Sequence, residues 1–142
     1  MRWNSSVTNC YSIFNGVYNI TKIDVSKFDT SQVTNMFNFF RHLVYITSLD
    51  VSNFNTSLVT NMGCMFERCV SLISLDLSSF DTSKVQEMKY MFQSCYSLIY
   101  LNLISFHDST GYPIYMLEGV RPNLILCLNE TRARVIKYYN GN

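Results

Sequence analysis

Residues 75–100 read LDLSSFDTSKVQEMKYMFQSCYSLIY, and this stretch decides the fold because the same pattern lies on both sides of it. Residues 49–74 read LDVSNFNTSLVTNMGCMFERCVSLIS, and residues 23–48 read IDVSKFDTSQVTNMFNFFRHLVYITS. The spacing between copies is 26 residues, as the positions Phe28, Phe54 and Phe80 show. An internal period of this length is typical of proteins whose repeats stack on one another.

Each repeat combines two different hydrophobic spacings. Around Leu75 and Leu77, apolar and polar residues alternate, as they do in a short half-buried strand. Ser83 and Gln86 have the spacing of a helix capping box. A helical stripe of apolar residues follows, made of Val85, Met88, Met91, Phe92 and Cys95. The sequence therefore predicts a strand, a turn and a helix in every repeat.

No repeat of this size buries both its strand face and its helix stripe alone, so neighbouring copies are expected to stack around one continuous core. Helices pack about 8 to 10 Å apart and strands about 4.8 Å apart, which bends such a stack with its strands inside. The predicted fold class is an α/β, leucine-rich-repeat-like solenoid. Its parallel sheet is expected on the concave side and its helices on the convex side.

The repeats resemble the leucine-rich repeats of the BspA-like surface proteins, which also occur in mycoplasma lipoproteins and protist surface proteins. The segments that carry the resemblance are LDVSNFNTSLVTNM, LDLSSFDTSKVQEM and the M-F-x-x-C-x-S-L pattern in residues 65–72 and 91–98. The resemblance covers about three quarters of the chain and implies a secreted or cell-surface binding role, often an adhesive one. It implies no catalytic residues.

The repeat boundaries suggest a single repeat domain over residues 1–142. Residues 1–22 form a partial repeat, and residues 23–48, 49–74 and 75–100 form three full repeats. Residues 101–142 are expected to form a degenerate repeat and a C-terminal cap. In this last part, residues 126–128 predict a further strand and residues 130–139 a short closing helix with Asn129 as its cap.

Strand alternation makes one set of polar residues face out from the predicted sheet, on its concave side. Tyr100 is the expected anchor for a partner, because it is aromatic on a face of small side chains. The candidate ligand-binding residues are Ser48, Asp50, Ser52, Ser74, Asp76, Ser78, Tyr100 and Asn102.

Asp24, Asp50 and Asp76 form a column of like charges on this face. Carboxylates about 4.8 Å apart repel each other by roughly 1 kcal/mol per pair even in water. Two arrangements would offset this repulsion: hydrogen bonds to the flanking serines and solvent, or a cation such as calcium between the carboxylates. The sequence favours the first, since no dedicated loop completes a metal site, and it predicts no metal and no cofactor.

The five cysteines show no pattern of disulfides or zinc ligands. Cys69 and Cys95 share a helical column, where the helix spacing exceeds the Cα separation that a disulfide allows. They are expected to be small buried groups, as is Cys10. Cys64 lies off the apolar stripe and is expected at the surface, whereas Cys127 falls in the outward Asp column.

Neither histidine supports catalysis. His42 is expected at the surface, and His107 replaces the turn residue Asp81. Neither is placed near a nucleophile with an orienting carboxylate, so a catalytic triad is unsupported and no enzyme activity is predicted.

Composition adds few constraints. The 142 residues are 48% hydrophobic and carry a net charge of +1, so there is material for a core but no basic face for a nucleic acid. The sequence has no run of 18 apolar residues, the length that a membrane-spanning helix needs. Its first residues lack the charged-then-apolar layout of a signal peptide.

The sequence thus predicts a non-catalytic, cell-surface or secreted module that binds a protein or another macromolecule. Two alternatives stay open at this stage: a structural spacer that holds a binding domain away from a surface, and an intracellular leucine-rich-repeat scaffold.

Overall fold

The computed structural model describes residues 6–14, 17–107 and 115–129. Within these ranges the regular structure consists of three short strands, β1 (Ser74–Asp76), β2 (Tyr100–Asn102) and β3 (Ile125–Cys127). They form one parallel sheet in the order β1-β2-β3. Leu75 pairs with Leu101, and Leu101 pairs with Leu126. The strand predicted over residues 126–128 is therefore present, one residue earlier.

The predicted helices are absent from the described residues, so the α/β leucine-rich-repeat-like solenoid with helices on its convex side is wrong. Tandem turns replace each helix, and we call the segment that they form the turn ribbon (residues 10–14, 36–42, 62–69, 88–95 and 115–120). In residues 62–69, the N–H groups of Met65, Glu67 and Cys69 bond to the carbonyl three residues back.

The alternate N–H groups of the turn ribbon bond to the next repeat instead. Cys64 N–H donates to the Lys89 carbonyl at 2.9 Å, and Arg68 N–H donates to the Gln93 carbonyl at 2.8 Å. In a helix, all of these N–H groups would donate to carbonyls of the same repeat. Tandem turns and a helix both bring every third or fourth residue to one side, so the apolar spacing did not distinguish them.

Left-handed backbone recurs at two positions along the described turn ribbon. One position is occupied by Ser12, Asn38, Cys64, Tyr90 and Tyr115, with φ between 55° and 60°. The other is occupied by His42, Arg68, Ser94 and Gly119, with φ between 59° and 75°. Positive φ at the third residue of a turn is the arrangement of a type II turn. Such backbone is incompatible with a right-handed helix, which explains why the capping-box pattern at Ser83 starts none.

The core consists of the predicted apolar columns, stacked in register from repeat to repeat. Met36, Met62 and Met88 occupy the same position of successive repeats and are 0%, 0% and 5% exposed. Aromatic rings continue the stacking, since the ring centroids of Phe54 and Phe80 lie 6.4 Å apart with an interplanar angle of 10°. Parallel backbone bridges connect the same polar position of successive repeats, namely Asn9 to Asn35, Asn35 to Asn61, and Asn61 to Glu87.

A column of buried threonines links the repeats where the strand-like bonding is interrupted. Thr30, Thr56 and Thr82 are at most 2% exposed. The Thr56 hydroxyl donates to the Asp81 carbonyl at 3.0 Å and accepts from the Asp81 N–H at 2.8 Å. One side chain thereby satisfies both backbone groups of the residue opposite, which a strand neighbour would otherwise do.

Candidate functional site

Six of the eight candidate ligand-binding residues line one shallow depression on the outer face of the sheet. Leu49, Val51 and Ser79 complete its lining. The depression lies between two adjacent repeats, which are joined there by the bridge from Ser48 to Ser74. The predicted polar residues in it are Ser48, Asp50, Ser52, Ser74, Asp76 and Ser78.

Inward and outward positions alternate through the depression as strand geometry requires. Leu75 and Leu77 are 1% and 0% exposed. Ser74, which precedes them, and Asp76, which lies between them, are exposed. The inward leucines anchor the backbone in the core, and this fixes the positions of the outward polar groups.

Each aspartate of the outer column is part of a local side-chain turn. Ser52 N–H and Ser52 Oγ donate to Asp50 Oδ1 at 3.0 and 2.7 Å. Ser78 N–H donates to Asp76 Oδ1 at 2.8 Å. These bonds are the first of the two arrangements that would offset repulsion along the column. The backbone is thus held by the same carboxylates that face solvent.

Hydrogen bonding also stabilises the ionised form of these side chains. The bonds from Ser52 lower the pKa of Asp50, and the bonds from Ser78 lower the pKa of Asp76. Both carboxylates therefore carry their charge throughout the neutral pH range, and the depression is negative.

Tyr100 and Asn102 lie beside the depression, on β2. Tyr100 pairs with Ser74 and Asn102 pairs with Asp76, so they continue the columns of the depression into the next repeat. A hydrogen bond with the Cys127 side chain raises the pKa of the Tyr100 phenol. Both residues are half-buried, less exposed than the serines and aspartates.

The described residues contain no group of three or more histidines, cysteines, aspartates or glutamates arranged to hold a metal ion. The depression offers carboxylates, hydroxyls and backbone groups, but no paired acid and base and no activated nucleophile. Its chemistry is that of a hydrogen-bonding, anionic surface.

The cysteines are free, and most lie where the repeat pattern predicts. Cys69 and Cys95 are buried, and each thiol donates to a backbone carbonyl of the preceding repeat at 3.2 Å. Burial raises the pKa of Cys69 to about 12 and that of Cys10 to about 11. These thiols are therefore unreactive as nucleophiles.

Cys64 is 8% exposed, so its predicted surface position is wrong. Left-handed backbone at this position turns its side chain away from the face that a helix would have given it. His42 is only partly exposed, with its Nε2 atom buried, for the same reason. Burial is the main cause that lowers the pKa of His42.

Sequence reasoning missed an ion pair between repeats. Arg41 Nη2 donates a hydrogen bond to Glu67 Oε1 at 2.9 Å, and Arg41 Nε lies 2.9 Å from Glu67 Oε2 as an ion pair. Glu67 is 5% exposed, and the two residues are 26 positions apart, so the repeat period itself was a signal for the contact. The closing helix predicted over residues 130–139 lies outside the described residues.

Within the same described ranges, the chain has no helix long and apolar enough to cross a membrane.

No curated protein and no solved structure matches the chain. One family does match, over residues 2–106, which is more than half of the chain and includes all three full repeats. On this match, the chain belongs to the family described as "Mycoplasma protein of unknown function, DUF285".

Proposed function

We propose that the chain is a non-catalytic binding module that acts at the cell surface or after secretion, with an adhesive role. Its partner is a protein or another macromolecule, and the contact is made by the depression around Asp50 and Asp76. The depression is the single observation that supports this proposal most, because it gathers polar side chains from two repeats on a rigid backbone.

The composition of the depression favours a cationic partner. Two carboxylates from adjacent repeats, Asp50 and Asp76, lie among serine hydroxyls. The lowered pKa values keep both carboxylates ionised. Lysine and arginine side chains are the protein groups that complement such a surface, so the segment that binds is basic.

We propose that the repeats are of the BspA-like type, as the LDVSNFNTSLVTNM and LDLSSFDTSKVQEM segments suggest. Surface exposure and adhesion follow from that relationship, and the repeat conformation is the turn ribbon described above.

The test removes the charges of the depression without changing its backbone. In the variant D50N/D76N each new amide keeps an Oδ1 acceptor, as Asn55 and Asn102 do at equivalent turns. We expect at least tenfold weaker binding of a fluorescent lysine-rich peptide at low salt, measured by anisotropy. The effect should shrink as salt is added, because exposed charges are screened. The matched control D29N/D81N changes two carboxylates of a different turn column and should bind normally.

A second variant removes Tyr100, the aromatic residue beside the depression, together with the carboxylate of Asp76. Replacing Tyr100 and Asp76 together by alanine should weaken capture on immobilised purified matrix proteins while leaving the melting temperature within a few degrees. Unchanged binding of both the peptide and the proteins by D50N/D76N and by the Tyr100 variant would refute a binding role for this depression.

A structural spacer is the competing function, and the bonding between repeats favours it specifically. Each described repeat before the last donates backbone hydrogen bonds to the next, which stiffens the stack. A spacer would bind none of these probes in either form, and its variants would differ from the parent only in stability.

A further inference from the structure

We propose that the partner of the depression is an amphipathic basic segment, in which apolar side chains stand beside the lysines or arginines. Its cations lie on Asp50 and Asp76, and its apolar side chains lie on two exposed isoleucines, Ile73 and Ile99, which we call the isoleucine strip. This inference rests on the function proposed above and adds the apolar half of the partner.

The isoleucine strip is exposed and continuous. Ile73 and Ile99 are 44% and 41% exposed. The Ile99 N–H donates to the Ile73 carbonyl at 2.8 Å, so the two residues lie side by side on adjacent repeats. Neighbouring strands are about 4.8 Å apart, and side chains at this spacing are close enough to form one surface. The strip therefore offers one apolar contact area that spans two repeats.

The repeat fold does not itself require isoleucine at this position. The equivalent residues of the two preceding repeats are Thr21 and Thr47, and the Thr47 carbonyl accepts from the Ile73 N–H at 3.0 Å in the same ladder. Threonine and isoleucine are both β-branched and suit extended backbone equally. A single exposed isoleucine would need no explanation, but two on consecutive repeats form a patch. The patch is available for a partner.

The strip lies along one side of the depression. Ile73 immediately precedes Ser74, which lines the depression together with Asp76. Ile99 immediately precedes Tyr100, and Tyr100 pairs with Ser74 on the adjacent strand. The negative depression thus has an apolar border made of two isoleucines and a tyrosine.

The two parts of this surface require different groups in one partner. Exposed carboxylates such as Asp50 and Asp76 attract cations, but salt screens this attraction and little affinity comes from it alone. Covering the isoleucines contributes affinity that salt does not screen. A purely apolar segment would take water from the carboxylates without supplying a countercharge, which is unfavourable. A segment that carries both cations and apolar side chains complements both parts.

The experiment compares two fluorescent peptides of equal length and charge by anisotropy, at about 0.15 M salt. Lysines alternate with serines in the serine peptide, and leucines replace two of those serines in the leucine peptide. The parent chain should bind the leucine peptide at least about tenfold tighter than the serine peptide. I73T/I99T gives both repeats the residue of Thr47, and it should reduce this preference to about threefold or less. Its affinity for the serine peptide should equal that of the parent.

The converse variant extends the strip. T47I places a third isoleucine beside the existing two, and it should increase the preference for the leucine peptide at least about threefold. Thermal melting reports whether I73T/I99T is folded. T47I leaves both isoleucines and both carboxylates in place, so it tests the strip even if the double variant unfolds.

The outcomes distinguish this inference from the function on which it rests. A serine peptide that D50N/D76N binds as well as the parent does would refute the function of the depression. Normal binding of the serine peptide with no preference for leucine, or with a preference that survives in I73T/I99T, would refute the strip alone. Self-association of the parent that I73T/I99T abolishes in sedimentation velocity would also overturn the inference, because a second copy would then cover the strip.

Discussion

Single side chains determine where the backbone of each repeat bends. Asp24, Asp50 and Asp76 each accept a hydrogen bond from the N–H group two residues later. The same contact recurs at a second corner, where Asp29, Asn55 and Asp81 bond to the serine two residues later. It recurs at a third corner through Asn9, Asn35 and Asn61. Short polar side chains thus replace regular secondary structure as the source of shape.

Acid should destabilise the chain through these carboxylates. The bonds from serine lower the pKa of Asp24, Asp29, Asp50, Asp76 and Asp81 from 3.8. A group whose pKa is lower in the folded state stabilises the fold above its unfolded pKa and loses that effect as the pH falls through its folded pKa. The melting temperature should be flat above about pH 5 and fall below about pH 4.

The control for this pH profile is D50N/D76N, which keeps the acceptors but does not titrate. Its melting temperature should fall less steeply in acid than that of the parent. Parallel acid profiles for the two proteins would contradict the role given to these carboxylates.

Replacing a buried threonine should lower the free energy of unfolding more than replacing a less buried threonine. T56V keeps the shape of the side chain but leaves the N–H and carbonyl of Asp81 unpaired, which should cost about 1–3 kcal/mol of the free energy of unfolding. Urea denaturation measures it. T60V is the matched control, because the Thr34 carbonyl that accepts from the Thr60 hydroxyl also accepts from the Thr60 N–H. Its cost should be about 0.5 kcal/mol or less.

The turn ribbon is the element in which sequence reasoning failed. The repeat period, the inward columns of methionine and phenylalanine, the outward aspartates and the strands at Leu75, Leu101 and Leu126 were all predictable from spacing. The helices were not, since Met62, Met65, Phe66 and Cys69 face the core both in a helix and in tandem turns. The deciding feature was the sign of φ at Cys64 and Arg68, and neither residue type signals left-handed backbone.

Glycine substitutions in the turn ribbon should show that this left-handed backbone is strained. Left-handed backbone costs a non-glycine residue roughly 1–2 kcal/mol, so S94G should raise the free energy of unfolding by up to about 1 kcal/mol after the entropy cost of glycine. Gly119 occupies the equivalent place at φ 75°, and a Cβ there would lie 3.2 Å from the Tyr96 ring. G119A should therefore be destabilised by about 1–2 kcal/mol.

The control for this pair is S83G, at a serine without positive φ. Here glycine increases the freedom of the unfolded chain, which should cost about 0.4–1 kcal/mol, and it also removes the hydrogen bond from the Ser83 side chain to Asp81. Equal effects of S94G and S83G in urea denaturation would contradict the strain at Ser94.

At the scale of the whole molecule, stability comes from contacts between repeats. The Arg41–Glu67 pair, the Thr56–Asp81 bonds and the ring stacking of Phe66 on Phe92 all join residues 25 or 26 positions apart. A repeat without its neighbour would expose its core face and leave half of its turn-ribbon donors unsatisfied.

The alternation of amide directions in the turn ribbon also limits how such a chain can change in length. Inserting or deleting a single residue inside the ribbon would exchange odd and even positions. The N–H groups that donate to the next repeat would then point into their own repeat. Duplicating or deleting a whole copy preserves that parity. Gene variants that differ by complete coils should therefore fold, whereas single-codon insertions between Met62 and Cys69 should not.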